Sequence, residues 1–255
     1  MADTQTERLK TELKILGMKT VLEIFETEAE NASKTKLGYI GYLSNLIEQE
    51  FLAKTDRSIN RRIQTAKFPS LKTLEEFDFR FQPGINEKEI INLSGLSFLD
   101  KKENIILIGP PGVGKTHLAI AIGIKACRAK YRVLFSEANA LIEELYTSTI
   151  DNTISEKLES LSRLDLLIID ELGYMPINKE KANLFFQLIS KRYEAGSIIL
   201  TTNLTFDQWD VIFGDPVISS AIIDRIAHHC HIIPINGNSY RMKDKLHKDY
   251  SGGQN

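Results

Sequence analysis

Cysteine is scarce in this chain: Cys127 and Cys230 are the two thiols among 255 residues. They stand far apart, without the paired spacing of a metal knuckle. That excludes a disulfide scaffold and fits a reducing compartment. A surplus of one charge is missing too. Lys and Arg total 32 against 34 Asp and Glu, a formal net charge of −2, so any basic surface for nucleic acid has to be local. No apolar run approaches the roughly 20 residues that a bilayer crossing needs. The N-terminus carries Asp3 and Glu7 and lacks the apolar centre of a secretory leader. These absences predict a soluble, cytoplasmic protein with no membrane partner. Internal repeats and low-complexity tracts are absent as well. At 42% hydrophobic and 26% charged residues the chain can bury one full core with a second small unit beside it.

Pattern changes near residue 68. Before it, Leu9, Leu13 and Leu16, then Val21, Ile24 and Phe25, then Tyr39, Tyr42, Leu43, Leu46 and Ile47 recur at helical spacing. Residues 1–67 therefore predict a small unit of three or four helices. Residues 68–103 read as a connector. Phe68-Pro69 breaks the preceding helix, Phe77, Phe79 and Phe81 alternate, and Pro83-Gly84 turns the chain. Asn86 with Glu89 marks a capped helix over 87–93. From 104 to 250 short apolar runs at 104–108, 132–135, 164–169, 197–201 and 230–233 alternate with helical stretches at 115–130, 137–148 and 179–194. That alternation predicts βαβ units and a parallel sheet covered by helices on both faces, an α/β fold. A helix-like stretch follows Ser239, and 251–255 read as a flexible tail.

Gly109-Pro110-Pro111-Gly112-Val113-Gly114-Lys115-Thr116, followed by His117, fits the pattern of a phosphate-binding loop. Glycines let backbone N–H groups approach a polyphosphate with no Cβ in the way, and the helix that starts here adds its positive end. Lys115 is placed to neutralise the β- and γ-phosphates and Thr116 to ligate Mg²⁺. Ile105–Ile108 supplies the strand the motif needs before it. A second apolar strand ends in Asp170-Glu171. Asp170 is expected to hold Mg²⁺, and Glu171, one residue beyond the strand, to polarise an attacking water. Asn178-Lys179-Glu180-Lys181 resembles a guanine-reading motif, but Lys181 replaces its aspartate and the run falls at a helix start. Adenine is the expected base, and ATP with Mg²⁺ the expected cofactors.

These motifs, with Thr201-Thr202-Asn203, Ile222-Ile223-Asp224-Arg225-Ile226 and Ser239-Tyr240-Arg241, occur in the order found in the DnaC/IstB-like AAA+ ATPases. Within that group the chain is most similar to IstB, the helper ATPase of insertion-sequence transposition. The segment from Ala66-Lys67-Phe68-Pro69 to Phe77-Asp78-Phe79, and Asp170-Glu171-Leu172-Gly173-Tyr174, share the resemblance, which covers about residues 60–245. It implies a five-stranded parallel sheet between helices, with ATP at the carboxyl ends of the strands. It also implies Asn203 as the polar residue that orients the attacking water with Glu171. Arg225 would be an arginine finger reaching a neighbouring subunit's γ-phosphate, and Arg241 a phosphate contact within its own chain. Guanidinium suits the charge that develops on a transferred phosphoryl. Plainer readings exist: Asn203 as the cap of a helix near Phe206, Arg225 and Arg241 as surface ion-pair partners, and Ser136, ending the second strand, as the cap of the helix at 137–148 rather than a link between DNA contact and Glu171.

His228-His229-Cys230-His231 offers zinc-ligating groups in a row, but neighbours on a strand point to opposite faces and do not close one tetrahedral site. Trp209 reads as packing. Lys54, Arg57, Arg61, Arg62, Lys67 and Lys72 outnumber acids before Glu75. Arg57 and Arg61 share a helix face, which is either a phosphate-backbone contact or a solvated helix end. The resemblance implies the first, with double-stranded DNA as a sequence-independent partner. The resulting expectation is an ATPase that assembles as an ATP- and DNA-promoted ring or filament and recruits or stimulates a transposase. A replicative helicase loader and a non-hydrolysing, nucleotide-gated DNA adaptor are the alternatives.

Overall fold

The structure, a computed structural model, describes residues 2–173 and 177–242. It divides into two compact units, one ending at Arg61 and one beginning at Arg62. Among the described residues no helix is long and apolar enough to cross a membrane.

The first unit is built on α1 (Ala2–Ile15), α2 (Lys19–Thr35) and α3 (Tyr39–Thr65). Leu13, Val21, Phe25 and Leu46 form its core. Met18, at the start of α2, has no side chain able to cap a helix. Glu50 of α3, 4% exposed, does it instead, accepting the Thr20 and Val21 N–H groups at 2.7 and 3.0 Å. Arg57 pairs with the same carboxylate at 2.8 Å. A buried charge is tolerated only with such partners.

The second unit continues with α4 (Glu87–Ser94), α5 (Ser97–Asp100), β1 (Asn104–Ile108), α6 (Lys115–Arg128), β2 (Val133–Glu137), α7 (Ala138–Ile150), α8 (Ile154–Ser162), β3 (Leu166–Leu172), α9 (Lys179–Arg192), β4 (Ser197–Thr202), α10 (Trp209–Phe213), α11 (Pro216–Ala227) and β5 (Cys230–Pro234). The five strands form one parallel sheet in the order β2-β3-β4-β1-β5, as the alternating pattern predicts. Strand alternation sorts the side chains into two cores. Ile105, Leu107, Leu166, Ile168 and Ile199 pack under α6, while Ile106, Leu167, Ile169, Ile198 and Leu200 pack under α7, α9 and α11. Each fully buried Leu or Ile contributes about 1.5–3 kcal/mol, so both faces need cover.

That requirement corrects the reading of 68–103 as a connector. From Leu118 to Cys127 nearly every residue of α6 is buried, so the helix is apolar all round. One side meets the sheet. The other is covered by Leu74, Ile85, Ile90, Leu93, Leu96, Phe98 and Leu99, which belong to the same core. Asn86 caps α4 by accepting the Glu89 N–H, as its sequence indicates. Ser136, however, does not cap α7: Glu137 holds the cap position and the Ser136 hydroxyl donates to the Glu137 carbonyl. Trp209 is fully buried against Phe206 and Phe213, as packing requires. After Ser239 a short 3₁₀ turn over Tyr240–Met242 is seen. The rest of the helix-like stretch, the 251–255 tail and Tyr174 lie outside the described residues.

Candidate nucleotide site

A cavity of about 480 Å³ opens where the carboxyl ends of β1, β3 and β4 meet the start of α6. Its floor is the loop Pro111–Thr116 with His117; Glu171, Asn203 and Arg241 line it too. The loop keeps its shape through φ values of 84° at Gly112 and 103° at Gly114, a region costly for side-chain-bearing residues. Packing fixes it as well. A Cβ at Gly112 would fall 2.1 Å from the Ser239 hydroxyl, and one at Gly114 2.6 Å from the Phe77 ring. The Tyr240 N–H donates to the Gly112 carbonyl at 2.9 Å.

Lys115 starts α6, and its ammonium donates to the carbonyls of Gly109 and Pro110 at 2.6 and 2.9 Å. Burial lowers its pKa against the pull of Asp170 and Glu171. The Thr116 hydroxyl lies 2.9 and 3.0 Å from the two Asp170 oxygens. Burial pushes the Asp170 carboxyl above the usual carboxylate range despite hydroxyls from Thr201 and Thr116. Neighbouring ligands of an octahedral Mg²⁺ at about 2.1 Å stand about 2.9 Å apart. Two hard oxygen donors at that spacing, beside a glycine loop that opens onto the start of a helix, fit Mg²⁺ and a polyphosphate.

Glu171 is inside β3 rather than beyond it. The register of β3 against β4 slips between Ile169 and Leu172, and Glu171 takes φ of 60°. An ordinary strand would aim consecutive carboxylates to opposite faces. The bulge re-aims the chain, so Asp170 meets Thr116 while Glu171 lines the cavity. A non-glycine residue there costs about 1–3 kcal/mol, a strain typical of functional sites. Thr201 of β4, which the sequence reading passes over as a site residue, holds the bulge. Fully buried, its hydroxyl donates to Asp170 Oδ1 at 2.5 Å and accepts the Glu171 N–H at 2.9 Å.

Asn203 does not cap the following turn. Thr205 and Gln208 do so as a capping box, and the Asn203 amide oxygen is buried with no partner among the described residues. Asn178 caps α9 by accepting the Lys181 N–H, which disposes of the guanine-motif reading. His117 reaches the Thr73 carbonyl at 2.7 Å and meets the Phe77 ring edge-on, so the 69–78 strap, read only as connector, forms a cavity wall. Arg225 is not among the cavity residues of its own chain. It bonds the Ala221 carbonyl and lies over the Phe186 ring at 4.7 Å. Of the basic residues, Lys54, Arg57, Arg61, Lys67 and Lys72 are exposed and Arg62 is half-buried. The pairing of Arg57 with Glu50 offsets part of that charge, and Lys72 lines the nucleotide cavity rather than α3.

A five-stranded parallel sheet with this loop after β1 and the acidic bulge on β3 defines a nucleotide-binding protein of the AAA+ type. The solved structures agree. DnaI matches with a TM-score of 0.54 at 25% identity, over 65% of this chain and 91% of its own. AMPPCP-bound DnaA from Aquifex aeolicus gives 0.55 at 24%, over 71% and 56%, a likeness of fold. The family model for the IstB-like ATP binding protein matches residues 11–248, and the chain belongs to that family. A Pseudomonas aeruginosa protein named for insertion sequence IS21 and ATP binding is 47% identical over 220 residues, 86% of this chain and 83% of its own. A Bacillus thuringiensis subsp. berliner counterpart named for IS232 is 40% identical over 95% of this chain and 97% of its own.

Proposed function

We propose that the protein hydrolyses ATP and uses the nucleotide cycle to assemble on double-stranded target DNA and engage a transposase. The observation that carries the catalytic half is the bulge of β3, which puts Glu171 in the cavity while Asp170 stays with Thr116. A carboxylate so placed can orient and deprotonate a water in line with a γ-phosphate held by Lys115 and the loop. Mg²⁺, held by Thr116 and Asp170, supplies charge neutralisation of the phosphates when bound. Asn203 has a free amide oxygen to hold the water, and Arg241 reaches the cavity from its own chain. Arg225 stays outside its own cavity, which supports action on a neighbouring copy in a homo-oligomer. The insertion-sequence relatives support the transposition half and set it ahead of a helicase loader, which shares the fold. The exposed cations around Lys54, Arg61 and Lys67 supply non-specific phosphate contacts.

Glu171→Gln is the test. It keeps the shape of the side chain and removes the base, so ATP binding persists, turnover falls at least ~100-fold, and ATP-dependent complexes on duplex DNA become long-lived. Normal turnover in this variant would remove Glu171 from the role; turnover lost without longer-lived DNA complexes would sink the coupling to DNA.

A further inference from the structure

The run His228-His229-Cys230-His231 divides in the folded chain. Cys230 packs on the core, and the His231 ring reaches Glu103 at 3.0 Å. His228 and His229 precede β5 in a turn, so strand alternation does not separate them, and their ring centroids are 4.2 Å apart. Glu194, from the turn between α9 and β4, joins them: one ligand atom from each of Glu194, His228 and His229 lies within 4.8 Å of the others. No sequence spacing announces this trio. All three are exposed.

Their backbones are anchored. The His229 carbonyl accepts the Asn104 N–H at 2.7 Å, and the His228 N–H donates to Asp224. The turn bearing Glu194 folds back on the Arg192 carbonyl through the Ala195 and Gly196 N–H groups. The Arg192 guanidinium is itself buried, donating to the carbonyls of Leu161, Leu164 and Ser197. Glu194 takes φ of 57°, a conformation uncommon for a side-chain-bearing residue. The Tyr193 hydroxyl lies 3.0 Å from His228 Nδ1. With Nδ1–H donating to that oxygen, the Nε2 lone pair of His228 is free to ligate, the orienting partner that metal-bound imidazoles ordinarily have.

We propose that Glu194, His228 and His229 form a site for a divalent transition metal, Zn²⁺ by ligand preference, at the amino-terminal edge of the sheet, remote from the nucleotide cavity. Two imidazoles and one carboxylate, with an outward position for water, are a Zn²⁺ ligand set. Ligand atoms around tetrahedral Zn²⁺ stand about 3.4 Å apart, so closure from within 4.8 Å asks these surface side chains to approach one another by at most about 1.4 Å. The ion would tie the α9–β4 turn to the end of α11. Arg225 lies one turn back along α11, and with Asp224 it is close enough to act on the Tyr193 phenol. The metal would therefore fix the helix that presents Arg225.

Calorimetric titration of chelator-stripped full-length protein with Zn²⁺, in excess Mg²⁺ and without nucleotide, tests this. One ion binds per chain, Co²⁺ gives the visible absorption of a four-coordinate site, and Zn²⁺ raises the melting temperature. Glu194→Gln with His229→Ala lowers affinity at least ~100-fold and abolishes the thermal shift. Tyr193→Phe weakens binding ~10-fold, the usual scale for an orienting partner. Cys230→Ser and His231→Ala bind as the unaltered chain does. Glu194 and His229 are exposed, so circular dichroism of the double variant should stay unchanged; if it unfolds, Glu194→Gln alone serves. Absence of saturable binding, binding retained without Glu194 and His229, or loss caused equally by Cys230→Ser would each overturn the site.

Discussion

Thr201→Val probes the chemistry of the site most directly. The substitution keeps the branched shape and deletes one hydroxyl, which donates to Asp170 and accepts from the Glu171 N–H. A hydrogen bond to a charged group contributes about 1.5–3 kcal/mol, and a buried N–H left unpaired costs about 1–3 kcal/mol. The bulge that aims Glu171 rests on both bonds. If half of that sum, roughly 1.3–3 kcal/mol, falls on the transition state rather than on global stability, kcat drops about 8- to 160-fold. Asp170 also loses the hydroxyl that steers it towards Thr116, so more Mg²⁺ is needed for half-maximal turnover. Nucleotide affinity without Mg²⁺ stays close to normal, because the loop and Lys115 are untouched. Thr201→Ser restores turnover and loses only about 1 kcal/mol of stability for the missing methyl. Steady-state ATPase assays across a Mg²⁺ titration, beside fluorescent-nucleotide binding in chelator, give kcat, Mg²⁺ dependence and affinity, and denaturant titration gives the stability. Thr201→Val with normal kcat and normal Mg²⁺ dependence, or Ser failing as badly as Val, would refute the reasoning.

Other outcomes follow from the same geometry. The Asp170 carboxyl is held above its unfolded pKa by burial, so its ionised form disfavours the fold, and that cost vanishes as pH falls through the raised value. Asp170→Asn should accordingly raise the melting temperature of the nucleotide-free protein at pH 7 while removing Mg²⁺-dependent turnover, which differential scanning calorimetry and ATPase assays read together. Glu50 is the opposite case: burial pushes its carboxyl up, but the Val21 and Thr20 N–H groups and Arg57 outweigh that and hold it low. Its contribution is present above the unfolded carboxylate value near 4.3 and is lost as pH falls through the depressed one. Glu50→Ala should cost about 1–3 kcal/mol at pH 7, with the difference from the unaltered chain shrinking in acid, checked by denaturant titration. Arg225→Ala should retain ATP binding and lose turnover at least ~100-fold, with activity recovered in mixtures with Lys115→Ala chains; unchanged turnover would place the finger elsewhere.

The loop and the strands were legible because each signal is local. Glycine spacing, a lysine and five apolar runs lie within short stretches, and burial on both faces demands continuous Ile and Leu. The signals that escaped depend on which strands become neighbours. Thr201 acts on Asp170 only because β3 lies beside β4 in one register. Glu171 turns inward through a bulge that periodicity cannot register, and Glu194 meets His228 and His229 across a turn distant in sequence. The role of residues 68–103 could have been inferred. An α6 apolar all round needs a second cover, and the short hydrophobic stretch before β1 is the segment at hand. Arg57 shows the converse limit: its charge was counted correctly, but its neutralisation by Glu50 depends on where α2 begins.

The cavity takes its walls from residues as far apart as Pro69 and Arg241, with Ser239 and Tyr240 closing on Gly112. During synthesis the glycine loop emerges long before the chain that secures it. A product cut short within β5 carries every residue of the phosphate motif and still lacks the contacts that hold Gly112 in its shape. Truncation before Ser239 should therefore weaken nucleotide capture although the phosphate motif itself is intact.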